Sequence, residues 1–313
     1  MDKFELRPLS LGELLDRAFT LYRRNFWLFV GIMGIPSCVF IPMNFYMFRS
    51  MGSPLAVFDP KAQAAVFGGA YFAFIILFSI LYLVALGAAA HAVADAYLGR
   101  SSTIRGSYAR MRGRFWRLVG VIFNVGIRVY GFMILSLLVP VFTGTFLMAL
   151  IARGNPAFAV VGGISMVVLM FGGLGLGVWF AMRYSVSIPA MLLEDVTGRA
   201  AIRRSIELSR GRRGHLFLAL MLAGVMSYVG MIVFQGPFYV AFAFMAIKGS
   251  LPTLLIFAMS VSGAIGGAIT GPLLMIVLVL CYYDLRIRKE GFDLSFMIAS
   301  RVNPSPSGTV NPA

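Results

Sequence analysis

Six long runs of apolar residues divide the chain, and short arginine-rich stretches separate them in pairs. The first run covers Phe26 to Phe48, uncharged throughout and interrupted by Pro36 and Pro42. The others run from about Ala64 to Ala94, Leu118 to Ile151, Ala157 to Met182, Leu216 to Ala246 and Leu251 to Tyr283. A helix that crosses a bilayer satisfies its backbone polar groups internally and covers roughly 30 Å of hydrocarbon, which takes about 20 residues. Every run is long enough, so the pattern predicts an all-α, polytopic membrane protein with six transmembrane helices.

The polar stretches have helical periodicity of their own. Ser10 followed by Glu13 makes a capping box at a helix start. Leu11, Leu14, Leu15, Ala18, Phe19, Tyr22 and Phe26 then recur on one face, which predicts an amphipathic helix lying along the membrane surface. In the second stretch Ile104, Tyr108, Met111 and Phe115 form the apolar face and leave Arg105, Arg110, Arg112, Arg114 and Arg117 for water and headgroups, with Trp116 at interface depth. In the third, Ile202, Ile206 and Leu208 alternate with Arg203, Arg204, Arg210, Arg212 and Arg213.

These stretches repeat. Ile104-Arg105-Gly106-Ser107 through Arg112-Gly113-Arg114 returns 98 residues later as Ile202-Arg203-Arg204-Ser205 through Arg210-Gly211-Arg212. A fainter copy, Arg23-Arg24-Asn25-Phe26-Trp27, precedes Arg112-Gly113-Arg114-Phe115-Trp116 by 89. The chain therefore reads as three parallel repeats of an interfacial amphipathic helix plus a transmembrane hairpin, about 8–98, 99–196 and 197–302, in one six-span domain over 1–302. Residues 303–313 read as a disordered tail. The shared Ser107 and Ser205 are placed to bond back to a helix carbonyl. Mitochondrial carriers also use three parallel hairpins, but their Pro-x-acid-x-x-base pattern is missing after every run.

Composition agrees, because 59% apolar and 12% charged residues cannot clothe a soluble surface. The net charge of +15 falls unevenly: 22 Lys and Arg lie on the side of the arginine-rich stretches, against Arg49, Lys61, Arg153 and Lys248 on the other. Lys and Arg flanking spans stay in the cytoplasm, so both termini are expected there, beside an anionic leaflet. No recognition module accompanies the charge, so nucleic acid is not an expected partner. The first apolar run is too long for a cleaved signal and is expected to stay as a span.

Few residues suggest chemistry. Arg128 follows Arg117 by eleven residues, roughly 16 Å along a helix, and shares a face with Asn124. A charge near mid-bilayer costs from about 2.5 to more than 10 kcal/mol. Arg128 is thus either a site for an anionic headgroup or solute, or a side chain that snorkels or bonds a broken-helix carbonyl. His91 and Asp95, four apart, suit a proton relay but read first as an interfacial pair closing the second run. Gly263, Gly267 and Gly271, and Gly173 with Gly177, are spaced for close helix packing. Glu194 and Asp195, near Arg199 and Arg203, read as charge balance at a helix start.

Cys38 and Cys281 are single thiols that suggest neither a disulfide framework nor a metal site. There is no HExxH, GxSxG, Walker loop, CxxC pair or dinucleotide fingerprint, so neither an enzyme nor a cofactor is expected. The stretch from Asp284 to Leu294 reads as an exit where the chain turns from across the bilayer to along it.

The opening from Leu6-Arg7-Pro8-Leu9-Ser10-Leu11-Gly12-Glu13 to Leu21-Tyr22-Arg23, the middle from Ile188-Pro189 to Gly198, and the ending from Tyr282-Tyr283-Asp284 to Phe292-Asp293-Leu294 resemble a bacterial membrane-protein family. It is similar to the membrane domain fused to some glycerophosphodiester phosphodiesterases. The catalytic domain's His-Arg-Gly start and Glu-x-Asp metal pair are absent here. The resemblance implies a bacterial inner-membrane location and a lipid-associated setting without phosphodiesterase activity. The leading expectation is a non-enzymatic membrane domain that engages anionic lipids, through Arg105, Arg110, Arg112, Arg114, Arg203, Arg204, Arg210 and Arg212, or a cytoplasmic protein partner. The alternative is a permease or transporter component with a polar path around Arg128 and Asn124.

Overall fold

The computed structural model describes residues 7–51, 69–151, 157–248 and 252–291, which form ten helices and no strand. They are α1 (Leu11–Arg24), α2 (Phe26–Met51), α3 (Gly69–Tyr97), α4 (Ile104–Ala109), α5 (Phe115–Ile151), α6 (Ala157–Tyr184), α7 (Ser187–Leu193), α8 (Gly198–Ser209), α9 (Arg213–Ile247) and α10 (Thr253–Glu290). Six of them, α2, α3, α5, α6, α9 and α10, are long and apolar enough to cross a membrane. The start of the second run, Lys61, Arg153 and the tail from Asn303 lie outside the described residues.

The sixth helix departs from the expected exit. α10 does not turn at Asp284 but continues to Glu290, and Gly291 ends it in the left-handed conformation with φ +59°. The acids and bases that looked like an exit are spaced to support a helix. Arg288 pairs with Asp284 at 2.9 Å and Arg286 with Glu290 at 3.1 Å, each one turn apart. At 38 residues α10 is about 57 Å long, well beyond a hydrocarbon core.

The chain forms two compact units, one of residues 1–113 with 218–313 and the other of residues 114–217. In the first, α2 packs between α3 and α10, and α1 and α4 are laid on these helices. The buried core concentrates where α2 begins and α3 and α10 end. It holds the alanine run Ala88, Ala89, Ala90 and Ala92 of α3, and Met275 through Leu285 of α10.

α1 turns part of its apolar stripe into the protein, while Phe19 stays exposed. Leu14, Ala18 and Leu21 are buried in the unit, and both ends of the segment are fastened to α10. The Leu9 amide donates to the Asp284 carboxylate at 2.8 Å, and the Tyr22 hydroxyl donates to the Ile269 carbonyl at 2.7 Å. Those contacts are about 20 Å apart along the α1 segment and about 22 Å along α10, so α1 runs antiparallel against a spanning helix. Periodicity of 3.6 residues requires a cover for the stripe without saying whether lipid or protein supplies it.

Three side-chain hydrogen bonds to span carbonyls fall within one turn before a proline. Pro36 has no amide proton for the Ile32 carbonyl one turn earlier, and the Tyr108 hydroxyl of α4 donates to that carbonyl at 2.7 Å. The Ile269 carbonyl bonded by Tyr22 lies three residues before Pro272, and the Phe234 carbonyl bonded by Ser262 lies three before Pro237.

The second unit is the α5–α6 hairpin with α7 and α8 against its ends. One buried cluster joins Val129, Tyr184 and Ile202, flanked by Val125, Met133, Phe180 and Ile206. The hairpin closes tightly at Gly173 and Gly177. A Cβ built on Gly173 would lie 1.8 Å from the Ser136 Cβ, and one on Gly177 would lie 2.6 Å from the Met133 Cγ. In α10 the packing glycines are Gly263 and Gly266, whose built Cβ atoms meet Gln235 at 2.1 Å and Met231 at 3.0 Å, whereas Gly267 faces open space.

The order of short helix, tight turn and long helix recurs at α1–α2, α4–α5 and α8–α9. Gly113 (φ +79°) and Gly211 (φ +84°), at matching repeat positions, hold the last two turns in a conformation that suits glycine. Asn25 makes the first turn at φ −120° without one.

Candidate functional site

The basic residues fall into two sets. In the first unit Arg110 closes on Asp95 at 2.7 Å, joining the turn after α4 to the end of α3. Asp95 is buried, and so is His91 one turn before it. In the second unit Arg114 and Arg117 meet Asp195 at 3.2 and 3.0 Å, and Arg204 meets Glu194 at 3.1 Å. The Arg114 hydrogen bonds and charge, with Arg117 adding to them, hold the Asp195 carboxyl below the usual carboxylate range. Thus Arg110, Arg114 and Arg204 serve internal ion pairs. Arg105 and Arg112 in the first unit, and Arg203, Arg210 and Arg212 in the second, are exposed.

The paired serines are both buried but act differently. Ser205 donates to the Arg183 carbonyl at 3.0 Å, and Ser209 reaches the same atom at 3.3 Å. They satisfy a carbonyl that the end of α6 leaves without an intrahelical donor, and so fix Arg183. Ser107 instead shares a hydrogen bond with Ser102 at 3.0 Å.

Arg128 and Asn124 are exposed on α5. The Arg128 guanidinium lies 5.6 Å from the ring centroid of Tyr184, the last residue of α6. α5 has 37 residues, and α7 and α8 pack against it beside the start of the hairpin. Arg128 is therefore level with the end of α6, and the remainder of α5, Val129 to Ile151, is about 35 Å long, enough to cross a core without it. Counting inward from Arg117 gives the distance along α5, and the contacts of α7 and α8 add which helices lie beside its first three turns.

One cluster has no counterpart in the sequence reading. Asp284, 2% exposed, accepts the Leu9 amide at 2.8 Å and the Arg288 Nε at 2.9 Å, and Arg288 Nη2 returns a bond to the Leu9 carbonyl at 2.6 Å. Tyr97 stacks on Tyr283 beside it, ring centroids 5.3 Å apart. Its only advance signal was the acid and base one turn apart at the end of the chain's last apolar run.

Among the described residues no three His, Cys, Asp or Glu side chains converge as metal ligands. The chain matches no protein-family model, no curated protein and no solved structure, so its reading rests on this geometry.

Proposed function

We propose that this is a non-enzymatic membrane domain that organises anionic lipid around its arginine-rich helix ends. The observation that carries the reading is the division of the arginines. Arg105, Arg112, Arg203, Arg210 and Arg212 extend from the short helices and turns that precede long apolar helices, while neighbouring arginines are taken up by Asp95, Glu194 and Asp195. An exposed Arg beside an anionic leaflet contributes about 1 kcal/mol, so five give a firm and salt-sensitive preference. In this reading both termini face the cytoplasm of a bacterium. The chain belongs with the membrane domains found beside glycerophosphodiester phosphodiesterases, and a cytoplasmic protein is a further partner for the same arginines. The exposure of Arg128 and Asn124 favours contact with lipid over an enclosed solute path.

The test is lipid selectivity in proteoliposomes, read by electron spin resonance of spin-labelled phosphatidylglycerol and phosphatidylcholine. The full chain should immobilise phosphatidylglycerol preferentially. The preference should shrink as salt rises and in a variant with Arg105, Arg112, Arg203, Arg210 and Arg212 all changed to Gln. Equal immobilisation of the two lipids by the unaltered chain would overturn the proposal.

A further inference from the structure

In the second unit three arginines gather around two aromatic rings, with no carboxylate paired to them among the described residues. Arg128 lies 5.6 Å from the Tyr184 centroid, Arg183 lies 5.9 Å from Tyr184 and 5.4 Å from Trp179, and Arg213 lies 4.6 Å from Trp179. Arg183, over both rings, links the other two. All three are within cation–π reach, which orients guanidinium groups but leaves their charge uncompensated. The ion pairs of this unit run instead from Arg114, Arg117 and Arg204. The Nε atoms of Arg183 and Arg213 and the Nε2 of His215 are shielded from solvent and have no hydrogen-bond partner.

The direction of these side chains is set by the helices that bear them. Side chains lean toward the N-terminus of their helix. Arg128 therefore leans toward the start of α5, and Arg183 leans back from the end of α6 over Trp179, one turn earlier. In an antiparallel hairpin those two directions converge.

Below the arginines the same face of the hairpin is apolar and open. Arg128, Phe132, Leu135 and Val139 succeed one another on α5 at steps of four, three and four. On α6, Leu169, Gly172, Leu176, Trp179 and Arg183 do so at three, four, three and four. Between the stripes lies a groove of about 450 Å³ lined by Phe132, Leu135, Val139, Leu169, Gly172 and Leu176. That volume is within the roughly 300–1,000 Å³ typical of small-molecule sites. Gly173 lets the helices close against Ser136, while Gly172 beside it has no atom within 4 Å of its built Cβ and leaves the groove open.

We propose that one anionic phospholipid occupies this face, its phosphate held by Arg128, Arg183 and Arg213 and an acyl chain lying in the groove below. Arginine suits the first role because its planar fork donates two parallel hydrogen bonds to phosphate. The proposal rests on the lipid-associated reading above but uses none of its five exposed arginines.

Native mass spectrometry of the full chain, titrated with phosphatidylglycerol, phosphatidylcholine or glycerol phosphate, tests it. One phosphatidylglycerol per chain should be retained at concentrations at least tenfold below those phosphatidylcholine needs. Arg128→Gln, Arg183→Gln and Arg213→Gln together should abolish that difference, and Gly172→Leu, which fills the groove without altering charge, should weaken retention tenfold or more. The variant lacking the five exposed arginines should still hold the single lipid, which separates failure of this site from failure of the broader reading. Equal retention of the two lipids, unchanged binding in the triple variant or in Gly172→Leu, or displacement by equimolar glycerol phosphate would each overturn the proposal.

Discussion

The hydroxyl of Tyr108 donates to the carbonyl of Ile32 at 2.7 Å, supplying the hydrogen bond that Pro36 cannot. A carbonyl freed by proline inside an apolar helix has no water to turn to, so some side chain must reach it. Tyr108 does so from a helix of six residues, too short to be stable by itself. The bond therefore completes α2 and anchors α4 together.

Tyr108→Phe should lower the unfolding stability of the detergent-solubilised protein by roughly 1–3 kcal/mol, the cost of a buried polar group left alone. In a Pro36→Ala background the restored amide serves Ile32, so the same change should cost distinctly less. Equal losses in both backgrounds would remove the proline from the explanation.

Asp284 joins Leu9 and Arg288 in the buried cluster of the first unit. Asp284→Ala should destabilise by roughly 2–3 kcal/mol, in the range of hydrogen bonds to charged groups. It should also loosen α1, visible as faster tryptic cleavage at Arg17 and Arg23. Arg288→Ala removes the bond to the Leu9 carbonyl and strands a buried carboxylate, so its effect should be at least as large.

Gly172 and Gly173 are adjacent yet should respond oppositely to alanine. Gly172→Ala meets open space and should leave thermal stability near that of the parent, whereas Gly173→Ala drives a methyl group into Ser136. Adding Ser136→Gly should recover most of the loss, a coupling that a double-mutant cycle measures.

The Glu13 carboxyl, which accepts from the Ser10 amide and pairs with Arg7, is held down to about 2 from an ordinary 4.5. A carboxyl lowered on folding adds stability in full above its unfolded value, and that increment drains away as pH falls from about 4.5 toward 2. Relative to Glu13→Gln, the parent should therefore be more resistant to unfolding near neutrality, and the difference should vanish at the acid end. A constant difference across that range would place the effect elsewhere.

The spans were legible because hydropathy over 20 residues is a property of the chain alone: α2, α5, α6 and α9 each start and stop within a few residues of the expected runs. What sequence could not supply was the identity of neighbours. The stripe Leu14, Ala18 and Leu21 is amphipathic whichever surface covers it, and the cover is α10. The position of Arg128 along α5 followed from counting along one helix, but its neighbour Tyr184 at the end of α6 did not. Tyr108 gave no warning, since it occupies an apolar position in its stripe and its role depends on a proline 72 residues earlier. The arginine excess was plain, yet which arginines answer Asp95, Glu194 and Asp195 is decided only when helix ends come together.

α1 and α10 are separated by most of the chain, Leu9 and Asp284 lying 275 positions apart. During synthesis the first helix therefore leaves the ribosome long before its seat exists, and its greasy side must be sheltered by a chaperone, the insertion machinery or lipid until the last span arrives. Contacts so distant along the chain form late. The closing of α1 onto α10 then serves as a completion mark, and any truncation that removes the final helix leaves the opening one exposed to quality-control proteases.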